Sequence, residues 1–298
     1  MELSQLRMFK AVYELGSIAR AAQQLHCVPS NITARLKSLE QELGVALFVR
    51  EGRGLRVSPA GEVFIEYATK ILDLTEASRR AVAPGGTPHG RLRIGAIESS
   101  ATGRLPQLLA RYHALYPQVS LELSTGTWSQ LLDDIQHHRL DAAIVAVDVQ
   151  RPGLESAVLY SEDLILIAPT SLGPVRSVAD LQGLTLFMWP SGCPYRLALE
   201  QWLSRHDQVC PIVSIVSIAS YGTIVGCVSA GSGAALVPRG IYEQYRQGAN
   251  WQGHEFAELT HIDNRFYWHA HAGCHPARDA FSALLREHSL YGATSNEA

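Results

Sequence analysis

Lysine is scarce in this chain: three in 298 residues, Lys10, Lys37 and Lys70, all within the first 83. That part carries 11 Lys+Arg against 9 Asp+Glu, a net of +2, and the remainder carries 14 against 19, a net of −5. The split points to a polyanion-facing head on an acidic body. Long apolar runs are missing as well. None reaches the roughly 18–20 residues that a bilayer span requires, and the polar start Met1-Glu2-Leu3-Ser4-Gln5 lacks the apolar core of a secretory signal. Five cysteines (Cys27, Cys193, Cys210, Cys227, Cys274) are odd in number and irregularly spaced, which excludes a disulfide framework. A cytoplasmic protein without membrane attachment is expected. Enzyme signatures are absent too: no nucleophile elbow and no glycine-rich phosphate loop. The run His269-Ala270-His271-Ala272-Gly273-Cys274-His275 fits no standard zinc spacing. The expectation is no catalysis, no cofactor and no metal.

What is present is an ordinary globular composition, 47% apolar and 18% charged, long enough for two domains or more. Leu3, Leu6, Phe9, Val12 and Tyr13 recur at helical steps up to Gly16. Ser17 then caps a short Ala-rich helix, Ile18 to Leu25. After a tight connection, Ile32, Leu36, Leu39 and Leu43 form one apolar stripe ended by Gly44. Two short helices joined by a tight turn, the first rich in small residues, are what a helix-turn-helix needs. The stripe turns Ser30, Thr33, Ala34, Lys37 and Ser38 outward, with Asn31 and Arg35 on the flanks. That face is short-chained and carries no acid, as entry into a major groove demands. Two β-prone runs around Gly52-Arg53-Gly54 then predict a hairpin carrying Arg50, Arg53 and Arg56, a wing that can reach phosphates.

The N-terminal sequence resembles the LysR-type transcriptional regulators. The resemblance rests on Gln5-Leu6-Arg7-Met8-Phe9, Gly16-Ser17-Ile18-Ala19-Arg20-Ala21-Ala22, Leu25-His26, Leu39-Glu40-Gln41-Glu42-Leu43-Gly44-Val45-Ala46-Leu47-Phe48 and Ser58-Pro59-Ala60-Gly61-Glu62. It implies an α+β multidomain chain: an N-terminal winged helix-turn-helix, a long dimerisation linker helix, and a C-terminal α/β two-lobed effector domain like periplasmic binding proteins. The implied partners are double-stranded promoter DNA, a small-molecule effector, further copies of the chain as dimer or tetramer, and RNA polymerase. The chain departs from the family at Pro29, where a base-reading Gln is common, and at Ala34, where an Arg is common. Proline suits the first helical turn but offers no side-chain hydrogen bond. DNA readout is therefore expected from Ser30, Asn31, Thr33 and Arg35, with Lys37, Arg50, Arg53 and Arg56 beside them. A ligand-binding protein that has lost DNA readout is the alternative these two positions leave open.

The expected division is residues 1–58 for the head, 59–90 for the linker and 91–298 for the effector domain. Ser58 and Pro59 open a helix able to run to about Ala83, roughly 37 Å. Ala60, Phe64, Tyr67, Ile71, Leu74, Ser78 and Ala81 alternate by four and three along it, a seam for pairing with a second chain. Dimerisation is expected through Phe64, Tyr67, Ile71 and Leu74. Pro84-Gly85-Gly86-Thr87-Pro88-His89-Gly90 has the composition of a hinge. Beyond it, strand-like and helix-like segments alternate, which predicts an α/β body with mostly parallel sheets. By the resemblance, lobe I covers 91–161 plus 266–298 and lobe II covers 162–265.

Ligands of such sheets bind beyond the carboxyl ends of the strands, at helix N-termini. Candidates there are Ser99, Ser100 and Thr102 after the first strand, Thr127 and Trp128 after the second, Ser191 and Cys193 before a helix, and Tyr221 and Thr223 on the second lobe. Positions matching the first and third of these segments commonly touch effector in relatives. Hydroxyl-bearing helix starts favour a carboxylate, whereas an inward Glu98 selects an amine, and the sequence leaves both open. Cys193 at a helix start beside Arg196 also allows a thiol-based redox sensor.

Overall fold

Glu2 opens the first helix, α1 (Leu3–Leu15), through a capping box with Gln5, and Gly16 ends it at φ 61°, a left-handed conformation suited to glycine. Ser17 Oγ accepts the Arg20 N–H and starts α2 (Ile18–Gln24). α3 (Pro29–Leu43) has Pro29 at its first position and Gly44 at φ 71° after its last. β1 (Phe48–Glu51) and β2 (Gly54–Val57) pair antiparallel, and α4 (Pro59–Ala81) follows. The structure, a computed structural model, describes residues 1–51, 54–81, 87–205, 214–259, 261–270, 272–273 and 275–294. It divides into two units, Met1–Pro84 and Gly85–Ala298.

The first unit is built around Leu6, Phe9, Val12, Ala21, Ala22, Ile32, Leu36, Leu39 and Leu47, all buried. Ala21 and Ala22 are nearly inaccessible, so their small side chains permit the close helix crossing. Ser58 Oγ donates to the Ala46 carbonyl at 2.6 Å and accepts the Gly61 N–H at 3.0 Å. A Cβ on Gly61 would lie 2.3 Å from the Leu47 carbonyl oxygen, so only glycine lets α4 start this close. α4 then returns to the same core: Ala68 and Leu72 are buried, and Phe64 meets Phe9 at 5.2 Å between ring centroids. Of the four residues expected to pair, Phe64 and Ile71 pack against the head's own core, whereas Tyr67 and Leu74, with Val63, stand 58, 66 and 61% exposed.

In the second unit, β3 (Gly90–Ala96) leads to α5 (Glu98–Gly103) and α6 (Leu105–Leu115), then β4 (Val119–Thr125), α7 (Trp128–Gln136), β5 (Ala142–Val145) and β6 (Leu154–Glu162). The chain crosses at Asp163 into β7 (Leu164–Pro169), β8 (Thr185–Met188), α8 (Pro194–Ser204), β9 (Ser214–Ser217), α9 (Tyr221–Ser229), β10 (Ala234–Pro238), α10 (Arg239–Tyr245) and β11 (Trp251–His254). It returns in β12 (Ile262–His269) and ends in α11 (Pro276–Thr294). Two five-stranded sheets result, ordered β4-β3-β5-β12-β6 and β11-β7-β10-β8-β9.

Neither sheet is mostly parallel, which corrects the expectation from the sequence. β3 pairs parallel with β4 and β5, and β8 with β9 and β10, but β12 and β7 each run antiparallel to both neighbours. The antiparallel strands are those that enter after a crossing between sheets rather than through a helix, so the handed βαβ connection does not constrain them. The parallel strands set the positions of four helix starts: β3, β4, β8 and β9 each run into the N-terminus of a helix, two in each sheet.

Candidate functional site

In the first unit, α3 turns Ser30, Asn31, Thr33, Ala34, Lys37 and Ser38 to solvent while Ile32, Leu36 and Leu39 are buried. Thr33 Oγ1 donates back to the Pro29 carbonyl at 3.0 Å, and Ser38 Oγ accepts from Gln5 Nε2 at 3.3 Å. Arg35 is paired with Glu2. Arg56 is exposed on β2, opposite Val49 in the hairpin. Arg53 and the side chain of Arg50 lie outside the described residues. Of the expected DNA-facing residues that are described, those on α3 and Arg56 of β2 are solvent-facing apart from the half-buried Arg35, which is paired with Glu2.

In the second unit, the four strand-to-helix turns converge on a cleft of about 690 Å³. Ile97, Glu98 and Ser99 border it after β3, and Thr125 to Gln130 after β4. Trp189 to Tyr195 and Ala219 to Tyr221 complete it from the other sheet. Two hydrogen bonds cross it. Trp128 Nε1 donates to the Gly192 carbonyl at 3.0 Å, and the Glu98 carboxylate accepts the Tyr221 N–H at 3.3 Å. Trp189 and Tyr221 rings meet at 5.0 Å. Thr127 Oγ1 accepts the Gln130 N–H and Ser220 Oγ the Thr223 N–H, so α7 and α9 are capped by their own side chains. Burial holds the Glu98 carboxyl above its ordinary range, although the Tyr221 N–H pulls it down.

Of the residues expected to meet effector, Ser99, Thr127, Trp128, Ser191, Cys193 and Tyr221 border the cleft. Ser100, Thr102 and Thr223 do not. α5 has six residues, so the side chain two positions after Glu98 has turned about 200° away. Ser100 Oγ meets the Tyr160 hydroxyl at 2.9 Å and donates to Asn264 Oδ1 at 3.3 Å, beneath the cleft. Thr102 is half-buried, and Thr223 is exposed on the outer side of α9. Residues the expectation passed over are Gln130 and Trp189, while Tyr195 and Ser220 border the cleft within the expected segments. The signal that could have found Trp189 is its place directly after the buried β8.

Beneath the cleft the sheets are joined by polar contacts. Asn264, fully buried at the irregularity of β12, donates from Nδ2 to the Tyr195 hydroxyl at 3.2 Å. Glu162, buried at the end of β6, is gripped by Arg104 through two bonds of 3.1 Å and accepts the Gly240 N–H at 2.9 Å. Arg104 lies before the crossing at Asp163 and Gly240 after it, so Glu162 ties the two sheets together beneath the cleft.

Cys193, the residue of the redox alternative, stands immediately before α8 on the cleft wall. Burial pushes the Cys193 thiol up, and the first-turn N–H groups of Tyr195 and Arg196 with the Arg196 charge do not offset it. A thiol kept protonated is a poor nucleophile. Cys27, Cys193 and Cys227 are free, while Cys210, His271 and Cys274 lie outside the described residues. Among the described residues no three His, Cys, Asp or Glu side chains group to hold a metal, and no helix is long and apolar enough to cross a membrane.

Comparison with known proteins covers nearly the whole chain. The family "Bacterial regulatory helix-turn-helix protein, lysR family" matches residues 3–62, and "LysR substrate binding domain" matches residues 85–290. The HTH-type transcriptional regulator GltR of Bacillus subtilis (strain 168) is 32% identical over 289 residues, covering 97% of each chain. The HTH-type transcriptional regulator SoxR of Arthrobacter sp. (strain TE1826) is 32% identical over 239 residues, 80% of each. Full-length CbnR complexed with its target DNA is similar at TM-score 0.63 and 25% identity, over 97% of this chain and all of that one. An OxyR mutant of Corynebacterium glutamicum reaches TM-score 0.72 at 23% identity, over 98% of this chain and 93% of that one, a likeness of fold.

Proposed function

Because this chain belongs to the LysR family of bacterial helix-turn-helix transcriptional regulators, we propose how its residues divide the work of a DNA-binding regulator with an effector domain. α3 enters the major groove of double-stranded promoter DNA. Ser30, Asn31, Thr33 and Arg35 read base edges, and Lys37 with Arg50, Arg53 and Arg56 holds the backbone. The observation that carries this reading is the exposed face of α3 from Ser30 to Ser38, which bears no acidic side chain. Arg35 exchanges Glu2 for DNA at little cost, since an exposed ion pair contributes about 1 kcal/mol or less.

Members of the family oligomerise, and here α4 beyond the head is the proposed pairing element. The functional division is a head of residues 1–58, a linker of 59–90 and an effector domain of 91–298, with lobes of 91–161 plus 266–298 and 162–265. The cleft takes the effector against Ser99, Thr127, Trp128, Ser191, Cys193 and Tyr221. A ligand that contacts both lobes favours their closed arrangement by its difference in affinity for the two, and DNA binding responds to that population. RNA polymerase is the downstream partner, the site of action is the cytoplasm, and the chain performs no catalysis.

Selection of bound sequences from a random DNA pool tests the readout. Asn31→Ala should relax preference at one base pair and leave the remaining positions unchanged, as loss of a single base contact does. An identical selected sequence for the variant and the parent would remove Asn31 from the reading face.

A further inference from the structure

The chemistry of the cleft lining narrows what can bind there. Its residues include one carboxylate, Glu98, and no lysine, arginine or histidine. Cys193, Tyr195 and Tyr221 are the other titratable groups on the wall, and burial keeps all three protonated. An anionic ligand would need free donors at the helix starts. Thr127 and Ser220 each take one first-turn N–H, those of Gln130 and Thr223, and Glu98 takes the Tyr221 N–H, which leaves fewer donors for an anion at these helix starts. The guanidinium groups beside the cleft already have partners. Arg196 bonds Glu200 at 2.6 Å and Ser217 at 2.9 Å. Arg151 bonds Asp133 at 2.7 Å and lies over the Trp128 ring, 6.0 Å from its centroid, so that ring already faces a cation. Among the described residues Glu98 has no cationic hydrogen-bond partner, only the backbone N–H of Tyr221.

The apolar part of the wall is aromatic, with Trp128, Trp189 and Tyr221 on three of the four turns. Ring faces attract cations, tryptophan most strongly, and the attraction grows when water is excluded. Ser99 also borders the cleft, 6% exposed, and its hydroxyl has no hydrogen-bond partner within normal geometry. A buried polar atom left unpaired is costly, so this hydroxyl, able to donate or accept, is open to a polar group of the ligand.

We infer that the cleft takes an organic cation, an amine with an apolar or aromatic body, with the Glu98 carboxylate as counter-ion and the rings of Trp128, Trp189 and Tyr221 around it. The inference rests on reading this cleft as the effector site, and it deepens that reading by choosing the amine over the carboxylate. A cation beside Glu98 restores what burial takes from the carboxylate.

Three probes of matched shape separate the possibilities: 2-phenylethylamine, 2-phenylethanol and phenylacetate. Binding to the full chain is followed by tryptophan fluorescence, since Trp128 and Trp189 border the cleft. The amine should bind at least about ten-fold tighter than the alcohol, with phenylacetate weakest. Glu98→Gln keeps an acceptor for the Tyr221 N–H and should erase that preference by about ten- to a hundred-fold. Glu98→Asp, which keeps the charge, should retain part of it and guards against a folding defect in the first variant. Phenylacetate binding best, no probe binding, or an amine preference unchanged in Glu98→Gln would overturn the cation assignment. Anion binding abolished by Trp128→Ala would still leave the cleft as the ligand site. Binding indifferent to both Glu98→Gln and Trp128→Ala would instead refute the cleft reading itself.

Discussion

Two glycines face each other where α5 of one sheet meets α10 of the other, and their substitution should have opposite outcomes. A Cβ on Gly103 would lie 2.7 Å from the Gly240 carbonyl carbon and 2.9 Å from its oxygen, both backbone atoms that cannot move aside alone. The mirror substitution meets nothing so close: a Cβ on Gly240 would be 3.4 Å from Arg104 Nε and 3.5 Å from Gly103. Overpacking of this kind costs about 1–3 kcal/mol. In a unit of this size each kcal/mol lowers the melting temperature by about 2–4 °C, so Gly103→Ala should lower it by about 2–12 °C. Gly240→Ala keeps the N–H that Glu162 accepts, and alanine is the better helix former by about 1 kcal/mol, so its effect should be neutral or slightly stabilising. All five tryptophans, Trp128, Trp189, Trp202, Trp251 and Trp268, lie in the second unit, so thermal melts of the full chain followed by tryptophan fluorescence report on that unit alone. Equal melting temperatures for the two variants, or a larger loss in Gly240→Ala, would refute the account of this contact.

Other perturbations probe the head and the acid limit. Tyr67→Glu combined with Leu74→Glu places charge on the exposed stripe of α4 and should shift sedimentation towards the monomer, whereas an unchanged assembly would move pairing to another surface. Phe64→Ala should instead destabilise the head by about 3 kcal/mol, because its ring fills the space beside Phe9. Burial alone would raise the Asp141 carboxyl, but the hydrogen bonds and charge of Arg93 outweigh it and hold it below the ordinary 3.8. Its contribution is complete above the unfolded value and is lost as pH falls through the lower folded one. Asp141→Asn should therefore cost about 3 kcal/mol at pH 7, with the gap to the parent closing below about pH 4 in urea titrations. A gap independent of pH would show that the charge plays no part.

What the sequence discloses and what it hides depends on the range of the interactions. Gly16, Ser17, Pro29 and Gly44 act within one or two turns of their own positions, so the bounds of the first three helices can be read locally. The apolar stripe Ile32, Leu36 and Leu39 likewise fixes which face of α3 is outward. The seam of α4 was legible only as apolar spacing. Two stripes share that helix, and assigning Phe64 and Ile71 to the head required knowing that Phe9 lies beside them. Helix phase defeats the reading of α5: six residues give no periodicity to fix, so Ser99 and Ser100 cannot be told apart until β6 and β12 are placed. The antiparallel insertion of β12 depends on contacts a hundred residues apart or more, to Leu154–Glu162 on one side and Ala142–Val145 on the other. Glu98 was visible as an acid at a strand end, but its direction depended on Tyr221 across the cleft.

The most direct test of the central claim is the salt dependence of binding by the full chain to the DNA upstream of its own coding region. Fluorescence anisotropy across a range of salt concentrations gives the slope of log affinity against log salt, which counts the phosphates neutralised. A steep negative slope, reduced by about one in Lys37→Ala with sequence preference unchanged, is the predicted result. A slope near zero, or an unaltered one in Lys37→Ala, would contradict the placement of α3 in the groove.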